Sequence, residues 1–279
     1  MTIPLIPALV FFFLLGSLVG SFLHVCIFRW PRDESVVAPR SHCLSCGKTV
    51  AWGDLIPILS YLLLRGKCRW CGASISAQYP VVELLNGLLY AYLFWQHGLD
   101  PVALKLALFG SMMLVLIFAD WRDYILPDEI TIGGTVIGWL LSPFLLLDGG
   151  PLKLVLMMLD KQYEPWVVSV LESFAASLLI AGFLFLLGEG YYRLRQVEGL
   201  GFGDVKMVAM IGAFWGFGTA LMTLILGSIL GSVVGIVIVL VSRRGWDYAL
   251  PFGSYLGATA ILVTLWGDDI LNWYLQAIS

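Results

Sequence analysis

Eight apolar runs of membrane length, joined by short polar segments, leave this chain almost no choice of fold. They cover roughly residues 5–28, 81–98, 102–120, 129–147, 167–188, 205–218, 219–241 and 253–275. An α-helix needs about 17–25 mostly apolar residues to cross the hydrocarbon core, where every backbone group must find its partner within the segment. The expected fold is an all-α polytopic membrane protein of about eight transmembrane helices, with a small zinc-ribbon-like loop domain on the cytoplasmic side. An apolar content of 59% and a mean hydropathy of +0.90 are too high for an ordinary soluble domain. The sixth run is short and glycine-rich, so its border with the seventh is open. The first lacks a preceding basic region and a small-residue cleavage site, and is expected to remain as a helix.

Positive charge gives the runs a direction. If the first exits toward the cytoplasm, thirteen cations lie in inner loops: Arg29, Arg32, Arg40, Lys48, Arg65, Lys67, Arg69, Arg122, Arg193, Arg195, Lys206, Arg243 and Arg244. Lys105, Lys153 and Lys161 make three on the other side. The positive-inside bias then puts both termini in the periplasm. A net charge of −3, with no basic stripe interleaved with aromatics, gives no sign of a nucleic-acid partner.

The polar stretch from 29 to 80 carries Cys43-Leu44-Ser45-Cys46 and Cys68-Arg69-Trp70-Cys71, each followed by glycine (Gly47, Gly72). Two Cys-x-x-Cys pairs at this separation predict a four-thiolate zinc site, structural because four cysteines leave no open position for water. The alternative is a disulfide or redox pair, which a reducing compartment disfavours. The domain plan is 1–28 as the first helix, 29–80 as the zinc-binding loop domain and 81–279 as the transmembrane catalytic part.

Two acids stand where apolar runs meet polar loops. Asp120 closes the third run, and Asp204, in Gly199-Leu200-Gly201-Phe202-Gly203-Asp204, opens the sixth. Ionisable groups at membrane depth are costly and mark functional sites. Two carboxyls that share a proton can polarise a peptide carbonyl and activate water, the chemistry of an aspartic peptidase. Other readings stay open: each acid as a helix cap, the pair as a proton relay in a transporter, or a zinc-organised scaffold without chemistry. The glycines could also form a phosphate loop, but that needs a preceding strand, and here a membrane-length run precedes. The charge-derived topology puts both acids on the cytoplasmic side.

Glu83, about a turn into the second run, is a candidate for lining a cytoplasmic cavity. Asp128 after Pro127 reads as the cap of the fourth run. His24 reads as a local hydrogen-bonding group, Cys26 as a buried apolar residue and Arg29 as an interfacial anchor. The stretch 148–166 carries no motif, and Glu172 has no assigned role. Small residues (Gly16, Ser17, Gly20 and Ser21 in the first run; Gly212, Gly216, Gly227, Gly231 and Gly235 in the sixth and seventh) predict close helix packing.

With these residues in place the chain resembles the bacterial type IV prepilin peptidases, the bifunctional leader peptidases and N-methyltransferases of type IV pili and type II secretion. The likeness runs through Gly20-Ser21-Phe22-Leu23, Arg29-x-Pro31, the two cysteine pairs and Tyr79-Pro80-x-Val82-Glu83. It continues through Asp120 with Leu126-Pro127-Asp128, Gly201-x-Gly203-Asp204-x-Lys206 and Pro251-Phe252-Gly253-x-Tyr255. His24, Ala119 and Ser254 depart from the common pattern, and none is expected to touch the acid pair. The resemblance implies Asp120 and Asp204 as catalytic residues, with Glu83, Gly201 and Gly203 on the substrate side. It also implies Cys43, Cys46, Cys68 and Cys71 as zinc ligands, S-adenosylmethionine as methyl donor, prepilin or pseudopilin substrates, and a place among inner-membrane lipids.

Overall fold

The computed structural model describes residues 4–147, 150–159, 163–197, 199–242 and 250–278. Arg243, Arg244 and Lys161 lie outside the described residues. Nine helices follow one another among those described: α1 (Leu5–Arg29), α2 (Leu59–Leu63), α3 (Gln78–His97), α4 (Pro101–Asp123), α5 (Asp128–Leu141), α6 (Pro151–Met158), α7 (Pro165–Arg195), α8 (Phe202–Ser242) and α9 (Phe252–Ile278). Two isolated β-bridges are the only extended pairing described, in keeping with the all-α expectation. Four of the helices, spanning Leu5–Arg32, Pro101–Asp123, Pro165–Arg195 and Phe202–Val241, are long and apolar enough to cross a membrane.

Three expected runs change shape. The fourth, read as 129–147, ends as a helix at Leu141, because Pro143 two residues on cannot donate its backbone amide to a further turn. The sixth and seventh form one helical element, α8, broken at Gly216 with φ +80°. That left-handed conformation is open to glycine at no steric cost. The stretch 148–166, which carries no sequence motif, holds α6, which starts with Pro151 at its first position.

The chain forms two compact units, Met1–Val115 and Leu116–Ser279, with α4 continuing from the first into the second. In the first unit, α1 and α3 pack side by side. A Cβ at Gly20 would come within 2.8 Å of the Glu83 Cα, and one at Gly16 within 2.6 Å of the Asn86 carbonyl oxygen, so only glycine permits this approach. Buried Asn86 joins three helices: its Nδ2 donates to the Gly16 carbonyl (2.7 Å) and its Oδ1 accepts from Ser111 Oγ (2.9 Å).

In the second unit α8 is the hub, packed on α5, α7 and α9. Gly212 lies against the α7 backbone at Ala176–Ser177, and Gly138 against Ala213 and Phe214. Ser173 Oγ donates to the Ala213 carbonyl (2.6 Å), and Trp139 Nε1 to Ser177 Oγ (3.0 Å). Small residues let the backbones meet and hydroxyls then join them, the packing logic of membrane helices.

Candidate active site and metal site

Asp120 lies in the last turn of α4 and Asp204 in the first turn of α8, with relative exposures of 6% and 9%. Both belong to the second unit. The Asp120 Oδ2 accepts hydrogen bonds from the Ser254 amide (2.7 Å) and the Ser254 hydroxyl (3.0 Å), at the start of α9. Leu126, in the turn after α4, is wedged among these helix ends. A Cβ at Gly203 would meet its side chain at 3.1 Å, and one at Gly253 would meet it at 2.9 Å and the Asp120 Cγ at 3.2 Å. The two glycines thus let the starts of α8 and α9 close on the end of α4.

Gly201 and Gly203 show no left-handed backbone among the described residues. Their role is to keep space free: a Cβ at Gly201 would lie 3.1 Å from Asp204 Oδ2. Asp128 is the first residue of α5 and makes no capping bond. It pairs instead with Lys206, tying the start of α5 to the first turns of α8. Ser254 was expected to stand apart from the acids, yet it is a direct partner of Asp120. Its signal in the sequence was its place in the short Pro251-Phe252-Gly253 motif. An apolar groove of about 310 Å3 is lined by Val205 and Ala209 of α8, Thr135 and Trp139 of α5, and Ser177 and Gly182 of α7.

Glu83 belongs to the first unit. It is buried, and its Oε2 accepts the Ile58 amide at 2.7 Å, so the carboxylate is engaged by the loop domain. His24 is buried and stacked on Tyr79, ring centroids 3.4 Å apart. Arg29 binds the incoming loop through the carbonyls of Ser35 and Pro39, both at 2.7 Å.

The four cysteines converge. Their Sγ atoms all lie within 4.8 Å of one another, and those of Cys43 and Cys71 are 3.8 Å apart. A ZnS4 tetrahedron with bonds of about 2.3 Å has edges of about 3.8 Å, so the donor set fits the metal. Both knuckles have the same build. The Cys43 amide donates to Lys48 O and the Gly47 amide to Cys43 O, and the Cys68 amide to Ala73 O and the Gly72 amide to Cys68 O. Gly47 and Gly72 each have φ +70°. Backbone amides of Cys46 and then Ser45 facing the Cys43 sulfur lower its pKa to about 6, whereas, against the Ala73 amide, burial and the other three sulfurs raise that of Cys71 to about 11.

Residues 14–97 match the Bacterial Peptidase A24 N-terminal domain, and residues 107–236 the Type IV leader peptidase family. Three similar relatives are each named prepilin leader peptidase/N-methyltransferase. That of Myxococcus xanthus is 38% identical, with 84% of this chain and 64% of the relative aligned. That of Aeromonas salmonicida strain A449 is 32% identical (95% and 93%), and that of Bacillus subtilis 31% (95% and 96%). The chain therefore spans just under two thirds of the Myxococcus relative and nearly all of the others. No solved structure matches it. Fold and family models together define a multi-pass peptidase of the inner membrane. The chain belongs to the type IV leader peptidase family.

Proposed function

We propose that the chain removes the leader of prepilins and pseudopilins with Asp120 and Asp204 as its catalytic pair, and then methylates the new N-terminus. The observation that carries the reading is the meeting of both acids' helix ends around Leu126, in a family whose relatives are named for this activity. One carboxylate takes a proton from water, and the other, protonated, donates a hydrogen bond to the scissile carbonyl. The water oxygen bonds to the carbonyl carbon, and as the tetrahedral intermediate collapses the C–N bond breaks and the leaving amine takes up the proton that the first carboxylate took from water. The Ser254 amide and hydroxyl hold Asp120 in place through the cycle. Gly201 and Gly203 leave room at the mouth of the pair for an extended backbone to enter.

The acids face the cytoplasm in this reading, where the basic leader of a prepilin lies. The loop domain 29–80 holds zinc through Cys43, Cys46, Cys68 and Cys71. The metal supplies a structural cross-link to a region that has little core of its own. S-adenosylmethionine is the methyl donor.

The test is cleavage of a purified prepilin by the chain in detergent. Asp120→Asn and Asp204→Asn should each lower the rate by at least about 10²–10⁴-fold, the usual contribution of a general acid or base. Cleavage that survives in both variants removes the pair from the mechanism. A wild-type chain without cleavage points to the proton-relay or scaffold reading. The cleaved product should gain the mass of one methyl group only when S-adenosylmethionine is present.

A further inference from the structure

The centre of the zinc loop is more apolar than a polar inter-helix loop requires. Leu55-Ile56-Pro57-Ile58-Leu59-Ser60-Tyr61-Leu62-Leu63-Leu64 lies between the two cysteine knuckles and ends in Arg65-Gly66-Lys67. Leu59, Leu62 and Leu63 recur at the i, i+3, i+4 spacing of one helix face, and that face of α2 is bare. Leu62 is 63% exposed and Leu63 74%, beside Ile56 at 50% and Trp52 at 76%. Trp52 carries the Arg40 guanidinium 4.3 Å over its ring. Tryptophan is enriched at the membrane–water boundary.

The position of this patch along the membrane normal follows from Glu83. Its carboxylate accepts the Ile58 amide (2.7 Å), and the Glu83 backbone lies against Gly20 of α1. Gly20 stands nine residues before Arg29, the basic end of α1, which is about 13 Å along the axis at 1.5 Å per residue. Ile58 is thus tethered to a point well inside the span, deeper than the cation that ends it. The tether holds a costly backbone: Ile58 has φ +62° and ψ −52°, and the Leu59 amide closes a three-residue turn onto the Pro57 carbonyl (2.5 Å). That γ-turn is rare and strained, and rarer still for a β-branched residue. A backbone strained in this way persists only where its surroundings over-determine it.

We infer that Ile56–Leu63 is a re-entrant apolar corner that dips into the bilayer leaflet beside α1 and α3 and seats the zinc loop on the lipid surface. The occupant of the patch is phospholipid: acyl chains cover Ile56, Leu59, Leu62 and Leu63, while exposed Arg65 and Lys67 reach the phosphates. Glu83 serves as the anchor that holds the corner at depth. This inference rests on the membrane span of α1 and is independent of the peptidase assignment.

The test uses the full chain with its zinc in vesicles containing phosphatidylglycerol doped with a phospholipid whose acyl chain carries a diazirine. After illumination, mass spectrometry of digested protein should find lipid adducts on the peptide containing Leu59–Leu63 and on α7, and none on the Leu44 peptide of the first knuckle. A Leu62→Gln/Leu63→Gln variant that retains its zinc should lose the adduct on α2 and keep that on α7. A chain labelled on α7 but not on α2 overturns the inference. A photoreactive residue placed at position 63 that cross-links to another protein rather than to lipid overturns it equally.

Discussion

Ser254 is the residue on which the acid pair turns. Its hydroxyl lies 3.0 Å from Asp120 Oδ2 and 2.9 Å from the Ile117 carbonyl. A hydroxyl has one proton to give and lone pairs to accept with. When Asp120 is ionised, Ser254 can donate to it; when Asp120 holds a proton, Ser254 can accept that proton's hydrogen bond and donate to Ile117. The amide donates in the first state, so a serine would serve both halves of the proposed cycle, in which the carboxyl gains and loses a proton. Ser254→Ala keeps the amide and removes the hydroxyl. It should lower prepilin cleavage by about 10- to 100-fold, the effect of losing a hydrogen bond to a charged group of roughly 1.5–3 kcal/mol. Steady-state kinetics check this: kcat should carry the loss with KM little changed. A variant as fast as the parent would leave Ser254 a packing residue only.

Glu172 shows the same economy between elements. Fully buried on α7, it accepts the Leu152 amide at the start of α6 through its Oε2 (3.2 Å). Gly150, with φ +139°, leaves it room: any Cβ there would collide with the carboxyl. The side chain thus serves a helix start whose amides have no partner within their own helix. Glu172→Ala should destabilise the fold by about 1–3 kcal/mol, the cost of leaving a buried donor unpaired. The thermal unfolding midpoint in detergent should fall accordingly, and less for Glu172→Gln, which retains an acceptor oxygen. The zinc loop is held differently. Metal analysis should give about one zinc per chain, lost in Cys43→Ser/Cys68→Ser, with proteolysis then opening residues 29–80, since a loop without its own core folds through its metal.

What the sequence made legible at this scale is what local spacing encodes. Cys43, Cys46, Cys68 and Cys71 announce their convergence because two short knuckles need only one metal between them. The membrane-length helices announce themselves because hydropathy is summed over many residues. The Ser254–Asp120 bond was illegible because its partners are 134 positions apart and no local pattern ties them. The role of Glu172 depends on α6, a short helix with no periodic signal. Ile58 was hidden for a different reason: its strained turn is imposed by Glu83 from another element.

For the whole molecule the decisive quantity is parity. Asp120 ends α4 and Asp204 begins α8, so the acids share a membrane face only if an even number of crossings lies between them. Three helices intervene. α6, with eight residues, is about 12 Å long, too short to cross a core of about 30 Å. α7, with 31 residues, crosses with length to spare. α5 has 14 residues, about 21 Å, so its crossing needs the chain after Ser142 to complete the passage. The positive-inside bias predicts that it does, because Arg122 before it and Arg193 and Arg195 after α7 would otherwise lie on opposite sides. Alkaline phosphatase fused after Tyr124 or after Gly199 should therefore be inactive, and fused after Tyr163 active, because the enzyme works only outside the cytoplasm. Activity at Tyr124 with none at Gly199, or the reverse, would put the two carboxylates on opposite faces of the membrane, where no shared water could be activated between them.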